Sequence, residues 1–465
     1  MIGRRVYKVK KPVHLDFVDL STVEDRRRMC TREVELNRRL APDVYLDVAD
    51  VVGSDGERCD SVVVMQRMPE SRRLTTLVGK GDDVDDALRS IARTVAGFHA
   101  AATTSAEISA AATAASVRAN WEANFSTMAQ FVGPVLDPET ASRVAGLARR
   151  YLSGRESLFD ARIAEGRVRD GHGDLLADDI FCLDDGPRIL DCIEFDDSLR
   201  FGDVLADVAF LAMDLERIGA PALGARFLDW YREFSAETYP ASLAHHYIAY
   251  RAHVRSKVAC LRVGQGDTDA EGQARRLLEI CDEHLQRGRV ALVLVGGLPG
   301  TGKSTLAAGL GDRLGWTVLR SDELRKDLEG IAHSEHRSDE FGAGMYDREH
   351  TAATYRTLVD RAGLLLARGE SVILDASWSI GRWREAAQQV AEETASDCVE
   401  FRCTAPDSVA VRRLEERLAA GDDVSDATAG VARRMALSAD AWPTAVTIDT
   451  ASSPEEAVSA ALQCL

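Results

Sequence analysis

Two stretches of the sequence bring together side chains that could do chemistry. In "HGDLLADDIFCLDDGPRILDCIEFDD", residues 172–197, Asp174, Asp178, Asp179, Asp191 and Glu194 surround two short apolar runs. Carboxylates repel one another, so a cluster at the ends of buried strands needs a cation or a wide aqueous opening. A solvated acidic hairpin is the plainer reading. The apolar runs "DIFCL" and "PRILDCI" count against it, because they would hold the carboxylates at strand ends. The second stretch is "VALVLVGGLPGTGKSTLAAGLGDRLG", residues 290–315: an apolar strand, then G-x-x-x-x-G-K-S from Gly297 to Ser304, then a helical pattern. This is a P-loop in the strand–helix context that gives the motif meaning. Gly297, Leu298, Pro299, Gly300, Thr301, Gly302, Lys303, Ser304 and Thr305 would wrap backbone N–H groups around an anion at a helix N-terminus. Lys303 should reach the β- and γ-phosphates of ATP, and Ser304 should ligate Mg²⁺.

Three further places extend the second site. "ESVILDASW" is an apolar strand ending in Asp375, which fits the acidic residue that holds the Mg²⁺ water shell. In "SDELRKDL", Ser321 can cap a helix, and Asp322 and Arg325 stand three residues apart on one helical face. There a carboxylate could take a proton from a substrate hydroxyl while a guanidinium holds an oxyanion. An ordinary first-turn Asp with an exposed ion pair is the alternative. "DSVAVRRLEERLAAGDDVSDAT" places Arg412, Arg413 and Arg417 on a helix entering a polar loop. Such arginines on a lid stabilise charge on a transferring phosphoryl group; an exposed basic helix face is the alternative.

These side chains need two scaffolds. The chain of 465 residues is long enough for two or three cores, and its 45 % hydrophobic and 28 % charged residues are those of a globular protein. "RVYKVKKPV", "VYLDVADVV" and "SVVVMQRMP" read as strands, with "EDRRRMCTREVELNRRL" as a helix between them. From about Asp85 to Tyr151 the pattern is mostly helical, and the tract "AAATTSAEISAAATAAS" reads as a surface helix or loop. "ADVAFLAMDLERIG", "ALGARFLDWYREF", "AHHYIAYRAHVRSKVACLR" and "QARRLLEICDEHLQRG" read as helices. Strand–loop–helix alternation then begins, the mark of a parallel α/β sheet. The expected domains are 1–287 and 288–465.

A net charge of −18 argues against a broad nucleic-acid-binding surface or an anionic-membrane partner and leaves a local basic groove open; the partner expected from the phosphate-handling motifs is a small hydroxylated molecule. No run approaches the roughly 20 apolar residues of a membrane span, and the basic start "MIGRRVYKVKK" lacks an apolar signal core. Nine cysteines without a C-x-x-C pair suit reduced thiols, so a cytoplasmic location is expected.

The motifs carry two resemblances. Through "GLPGTGKST", the D-x-x-R of "SDELR" and the R-L-x-x-R of "RRLEER", residues 290–465 resemble the small P-loop kinases grouped with gluconate kinase, chloramphenicol phosphotransferase, zeta toxins and the polynucleotide 5′-kinase domain. That resemblance implies Asp322 as base, Arg325 as substrate or phosphate contact, and Arg413 and Arg417 as lid arginines. Residues 1–285 resemble the aminoglycoside phosphotransferase and choline kinase family, a branch of the protein-kinase-like fold. "HGDLLADDI" is similar to that family's H-G-D-L-H-x-x-N-I loop and "ILDCIEF" to its metal-binding segment. The implied roles are Asp174 as base, Asp191 as Mg²⁺ ligand and His172 as a brace; in "RFGDVLADVAF", Asp207 is implied as a structural helix cap. Asp179 stands where the family has a metal-binding Asn, and an Asp still offers Mg²⁺ an oxygen. Leu176 replaces a second His. "RVYKVKK" resembles the strand with the phosphate-binding lysine, Lys8 or Lys10, partnered by Glu33. Nothing in the sequence precedes that strand, so a truncated first lobe is expected: either the true start lies upstream or this half binds nucleotide poorly. The fusion resembles bacterial bifunctional proteins that join the two kinds of domain.

The reading is therefore an α+β protein-kinase-like domain followed by an α/β P-loop domain with a parallel sheet, phosphorylating a hydroxyl with ATP and Mg²⁺. Two rivals remain: a ligand-sensing first half that gates the second, and a nucleic-acid 5′-hydroxyl kinase.

Overall fold

The computed structural model describes residues 3–15, 18–330, 348–420 and 429–465. It divides into two compact units, residues 1–149 with 159–288 and residues 150–158 with 289–465.

The first unit opens with an antiparallel sheet in the order β1 (Arg5–Val9), β3 (Arg58–Gln66), β2 (Tyr45–Val52). Helix α1 (Val23–Asn37) packs on it. It starts at Thr22, whose side chain accepts from Asp25 N–H, and its apolar or tightly held Cys30, Glu33, Val34 and Asn37 recur at helical spacing toward the sheet. Cys30, Val34, Val44, Tyr45 and Val63 form the core between the two layers. The acidic stretch forms an antiparallel hairpin, β4 (Ile180–Leu183) with β5 (Gly186–Ile189), its apolar side chains largely buried. Helices α2 (Asp85–Ala101), α3 (Val204–Arg217), α4 (Pro221–Ser235), α5 (Ala241–Gly264) and α6 (Ala270–Arg287) are among those that complete the scaffold. Almost every residue of α3 is buried, as expected of a helix packed on several sides.

The Ala-Thr-Ser tract is largely a surface element, as expected, with most of its residues exposed. Its short helix Ala106–Ala111 sinks Ile108, which with Ala112 packs on Val168. One buried isoleucine suffices to dock a helix whose other residues are too small to signal a face.

In the second unit, β6 (Ala291–Gly296), β7 (Thr317–Arg320), β8 (Val372–Asp375), β9 (Asp397–Thr404) and β10 (Val446–Asp449) form a sheet in the order β7-β8-β6-β9-β10, parallel throughout. All of β6 is buried, hence its unbroken apolar sequence. Helix α7 (Lys303–Leu314) follows β6 and packs Leu306 and Leu310 on Ile373 and Phe401. Helices α8 (Ser321–Glu329) and α9 (Asp407–Ala420) follow β7 and β9. Among the described residues, no helix is long and apolar enough to cross a membrane.

Candidate active sites

Side chains two apart along an extended chain share a face, so Lys8 on β1 and Lys10 just past its end both turn toward α1. The fully buried Glu33 receives them: Lys8 Nζ lies 2.8 Å from its Oε1 and Lys10 Nζ 2.6 Å from its Oε2. The sequence left the choice between the lysines open; both meet the glutamate. Beyond it, Lys8 reaches Asp191 Oδ1 at 2.5 Å and Lys10 pairs with Glu194. Part of the charge balance that the sequence assigned to a cation is therefore supplied by two ammonium groups. Asp191 adopts φ 65°, a left-handed conformation that costs a non-glycine residue energy, and its N–H donates to the Tyr45 hydroxyl at 3.2 Å.

The His172–Asp174 loop is clamped from below. Asp207 accepts from the N–H groups of His172 at 2.7 Å and Gly173 at 2.8 Å, and pairs with His99 at 3.1 Å. Its expected role as a helix cap is corrected: Asp203 caps α3 by accepting from Leu205 N–H, and Asp207 fastens the loop. Burial would raise the Asp207 carboxyl, but the His99 hydrogen bond and the neighbouring cations hold it well below the usual range. His172 is buried with Nε2 3.1 Å from Leu190 O, tying the loop to the end of β5.

Burial pushes the Asp174 carboxyl up to about 6 against the pull of Arg255 and Arg251, while Asp191 and Asp214 add to the rise. Asp179 is pushed up to about 7, first by burial and then by the charges of Asp191, Asp174 and Asp178. Burial would raise Asp191 as well, but Lys8 and then Lys10 hold it below the usual carboxylate range. Among the described residues, no three His, Cys, Asp or Glu side chains form a ready metal cage. Mg²⁺ seldom needs one, because it binds through one or two carboxylates and completes its shell with water and substrate phosphates. Burial first, and the neighbouring carboxylates second, raise Asp179; a cation between it and Asp191 would offset both, so the donor set fits.

In the second unit the P-loop runs from the end of β6 into α7. Gly297 has φ 146° and Gly300 φ 85°, and a Cβ on Gly300 would lie 2.6 Å from Ala410 O. Only glycine allows this path. Thr301 turns its N–H and hydroxyl onto Leu298 O, at 3.2 and 2.7 Å, and its own carbonyl accepts from Thr450 at 2.5 Å. Gly302, in the left-handed region, precedes Lys303 at the first turn of α7, where N–H groups lack helical partners. Leu298 and Pro299 complete the turn, Thr305 follows Ser304 in the first turn of α7, and Ser304, Thr305, Asp312, Trp316, Arg320 and Glu323 line an adjoining cavity of about 790 Å³.

Asp375 ends β8, level with Val295 of β6 and Arg320 of β7, at the carboxyl edge where parallel sheets bind ligands. Arg320 Nε donates to its Oδ2 at 3.3 Å, whereas Oδ1 is buried without a hydrogen-bond partner among the described residues. An orphaned carboxylate oxygen at the end of the strand paired with the one that runs into the P-loop fits Mg²⁺. Arg325 donates to Asp322 Oδ1 at 3.2 Å, so the two lie on one face as expected. The Ser321 cap is corrected: Ser321 is the first helical residue, buried, and Arg320 stands at the cap position without a side-chain bond.

Arg413 is anchored rather than set on a lid. Its Nη2 donates to Thr450 O at 2.6 Å, and its buried Nη1 lies beside Gly302. The side chain of Arg417 and the polar loop 421–428 lie outside the described residues.

Sequence reasoning missed several neighbours. Arg251 donates to Gly173 O at 3.3 Å and to Ala206 O at 2.9 Å, and Arg255 follows one turn later on α5. Their spacing in "YRAHVRSKV" was the available signal. Tyr355 stacks on Trp383 with centroids 5.4 Å apart and meets the Ser377 hydroxyl at 3.0 Å, near Asp322 and Arg325. No motif announces it.

Residues 5–246 match the model of the phosphotransferase enzyme family, and residues 292–441 match that of an AAA domain. Uncharacterized proteins of Mycobacterium tuberculosis H37Rv and Mycobacterium bovis AF2122/97 are each 42 % identical over 458 residues, 98 % of this chain and 91 % of theirs. A gluconokinase structure from Sinorhizobium meliloti 1021 is 18 % identical, covering 37 % of this chain and 90 % of its own, with TM-score 0.28. An APS kinase structure from Mycobacterium tuberculosis in complex with AMPPNP and APS is 24 % identical, covering 38 % and 96 %, with TM-score 0.29.

Proposed function

The chain belongs to the phosphotransferase enzyme family through residues 5–246, and from that premise we propose an ATP-dependent phosphotransferase that phosphorylates a hydroxyl of a small molecule and has a nucleotide site in each unit. The observation that carries the ATP assignment is the P-loop: a buried parallel strand, glycines at positive φ, and a helix opening on Lys303 and Ser304. Such a turn favours anions by its backbone dipoles before any side chain acts.

In the second unit Lys303 neutralises the β- and γ-phosphates, Asp322 takes the acceptor proton, and Arg325 orients Asp322 and holds an acceptor oxygen. Arg413, fixed beside Gly302, adds charge where phosphate oxygens would lie. In the first unit Asp174 is the base. A carboxyl held near 6 is mostly ionised at neutral pH yet more basic than a free one, which suits proton abstraction. Lys8 and Lys10, braced by Glu33, face the phosphates. Asp179 and Asp191 in one unit, and Ser304 and Asp375 in the other, would hold Mg²⁺, which supplies charge neutralisation on phosphate oxygens.

The test is transfer from γ-labelled ATP by the full chain to sugars, aminoglycosides, nucleosides and oligonucleotides, with Lys303→Ala and Asp174→Asn beside the parent. Labelling of small acceptors that Lys303→Ala suppresses for one and Asp174→Asn for another, or both for the same one, supports the proposal. ATP turnover that no acceptor changes would overturn it.

A second reading, a ligand-sensing first unit, is favoured by the pairing of Lys8 and Lys10 with Asp191 and Glu194, which occupies charges that would meet phosphate. Under that reading Asp174→Asn leaves every transfer intact.

A further inference from the structure

The first unit has a cavity of about 320 Å³ that shares no lining residue with the acidic cluster. Arg93, Arg167 and Arg169 line it together with His99, Tyr231 and Phe234, and none of its lining residues is a carboxylate. In a chain of net charge −18, a cavity whose permanent charges are three guanidinium groups is unusual.

None of the three arginines forms a salt bridge among the described residues, and Arg167 Nε is buried there without a hydrogen-bond partner. Glu237, whose carboxyl senses Arg167, is held by Arg162. Arg169 is fixed by donation from Nε to Gly166 O and from Nη1 to Ala102 O, both at 2.9 Å, which leaves Nη2 for a ligand. Arg93 is exposed, so it stands at the rim, while the buried His99 and Tyr231 form the floor. Guanidinium forks match phosphate and carboxylate geometry, and a cavity of this size takes a small organic molecule.

The floor also leads somewhere. The Tyr231 hydroxyl lies 2.9 Å from His99 Nδ1, and His99 Nε2 lies 3.1 Å from Asp207 Oδ2. Asp207 in turn accepts from His172 and Gly173, the two residues before Asp174. We infer that this cavity binds a small organic anion, a phosphate or carboxylate on a flat or apolar body, and that occupancy is transmitted through Tyr231, His99 and Asp207 to the loop bearing Asp174. This goes beyond the proposed reaction and does not depend on it.

The experiment uses the full chain with phenyl phosphate and benzoate as probes, binding being followed by calorimetry and the loop by hydrogen exchange at His172 and Gly173. At least one probe should bind. Exposed Arg93→Glu and the neutral Arg167→Gln should each weaken binding by roughly tenfold or more, by removing a charge-assisted pair. The two probes separate a phosphate site from a carboxylate site. Bound probe should slow exchange of the two amides in the parent but not in Tyr231→Phe, which keeps the ring and loses the hydroxyl. Failure of both probes at millimolar concentration, or binding indifferent to both arginine substitutions, overturns the site. Binding with equal exchange in parent and Tyr231→Phe overturns the link to the loop.

Discussion

Asp174 owes its basicity to burial, which two arginines restrain, and that opposition gives a test at the scale of one side chain. Burial raises it to about 6, and Arg255 and Arg251 restrain that rise. If Asp174 is the base, kcat/KM of the first unit's reaction climbs as pH rises through about 6 and then levels. Arg255→Gln removes a restraining charge, so its inflection should move to higher pH; a profile that stays put or moves down would show that Arg255 does not act on the base. In the other unit, Lys303→Ala should cut transfer about a hundredfold or more, the scale of losing one preorganised charge on a transferring group, with circular dichroism unchanged. Unaltered turnover there would remove the P-loop from the chemistry. Asp174, Asp191 and Lys303 were legible because each stands in a short ordered pattern. Arg251 and Arg255 were not, because folding alone carries α5 to the loop they surround.

Elements were legible where one period dominated. The all-apolar β6 followed by glycines announced a buried parallel strand and an anion-binding turn, and the arrangement needs those glycines. Gly300→Ala would force a Cβ to 2.6 Å from Ala410 O at φ 85°, so backbone must shift. The second unit should lose about 1–3 kcal/mol, read as a lower denaturation midpoint, and its nucleotide affinity should fall more than a distant alanine substitution of equal stability cost would cause. Equal affinities would mean that the turn's shape is not what binds. The misread elements share a cause. Ser321 and Asp207 have cap-forming side chains, but capping depends on where the helix starts, and in both cases the chain starts it elsewhere.

At the scale of the whole molecule, the first unit's response to acid separates histidines from carboxylates. Burial lowers His246 and His253 to about 3, with Lys257 assisting at His253; burial, His284 and Arg287 lower His245 to about 4. All three lie on α5, and His246 Nε2 accepts the Trp121 indole N–H at 3.3 Å, which a protonated ring could not do. A depressed folded pKa means that the unfolded chain takes the proton first. The stability these neutral rings contribute is therefore complete above about 6.5 and drains as pH falls toward the folded values, by about 1.4 kcal/mol per histidine for each pH unit crossed. Asp174 and Asp179 act with the opposite sign. Their raised values mean that the folded state takes up protons first, so acid relieves them between about 7 and 4. His172 is lowered too and Glu237 raised, each by burial above all, so four rings displaced downward stand against three carboxyls displaced upward, and net destabilisation is expected between pH 6.5 and 4. Hydrogen exchange at the α5 amides measures it locally. Protection should fall on acidification in the parent, and fall less steeply in His253→Asn, whose side chain cannot charge. Because that variant leaves a smaller polar group in an aromatic site, its protection at pH 7.5 should start lower, so the slope and not the level decides. Parallel slopes in parent and variant would locate acid sensitivity away from α5. An increase in protection on acidification would mean that the carboxylates prevail.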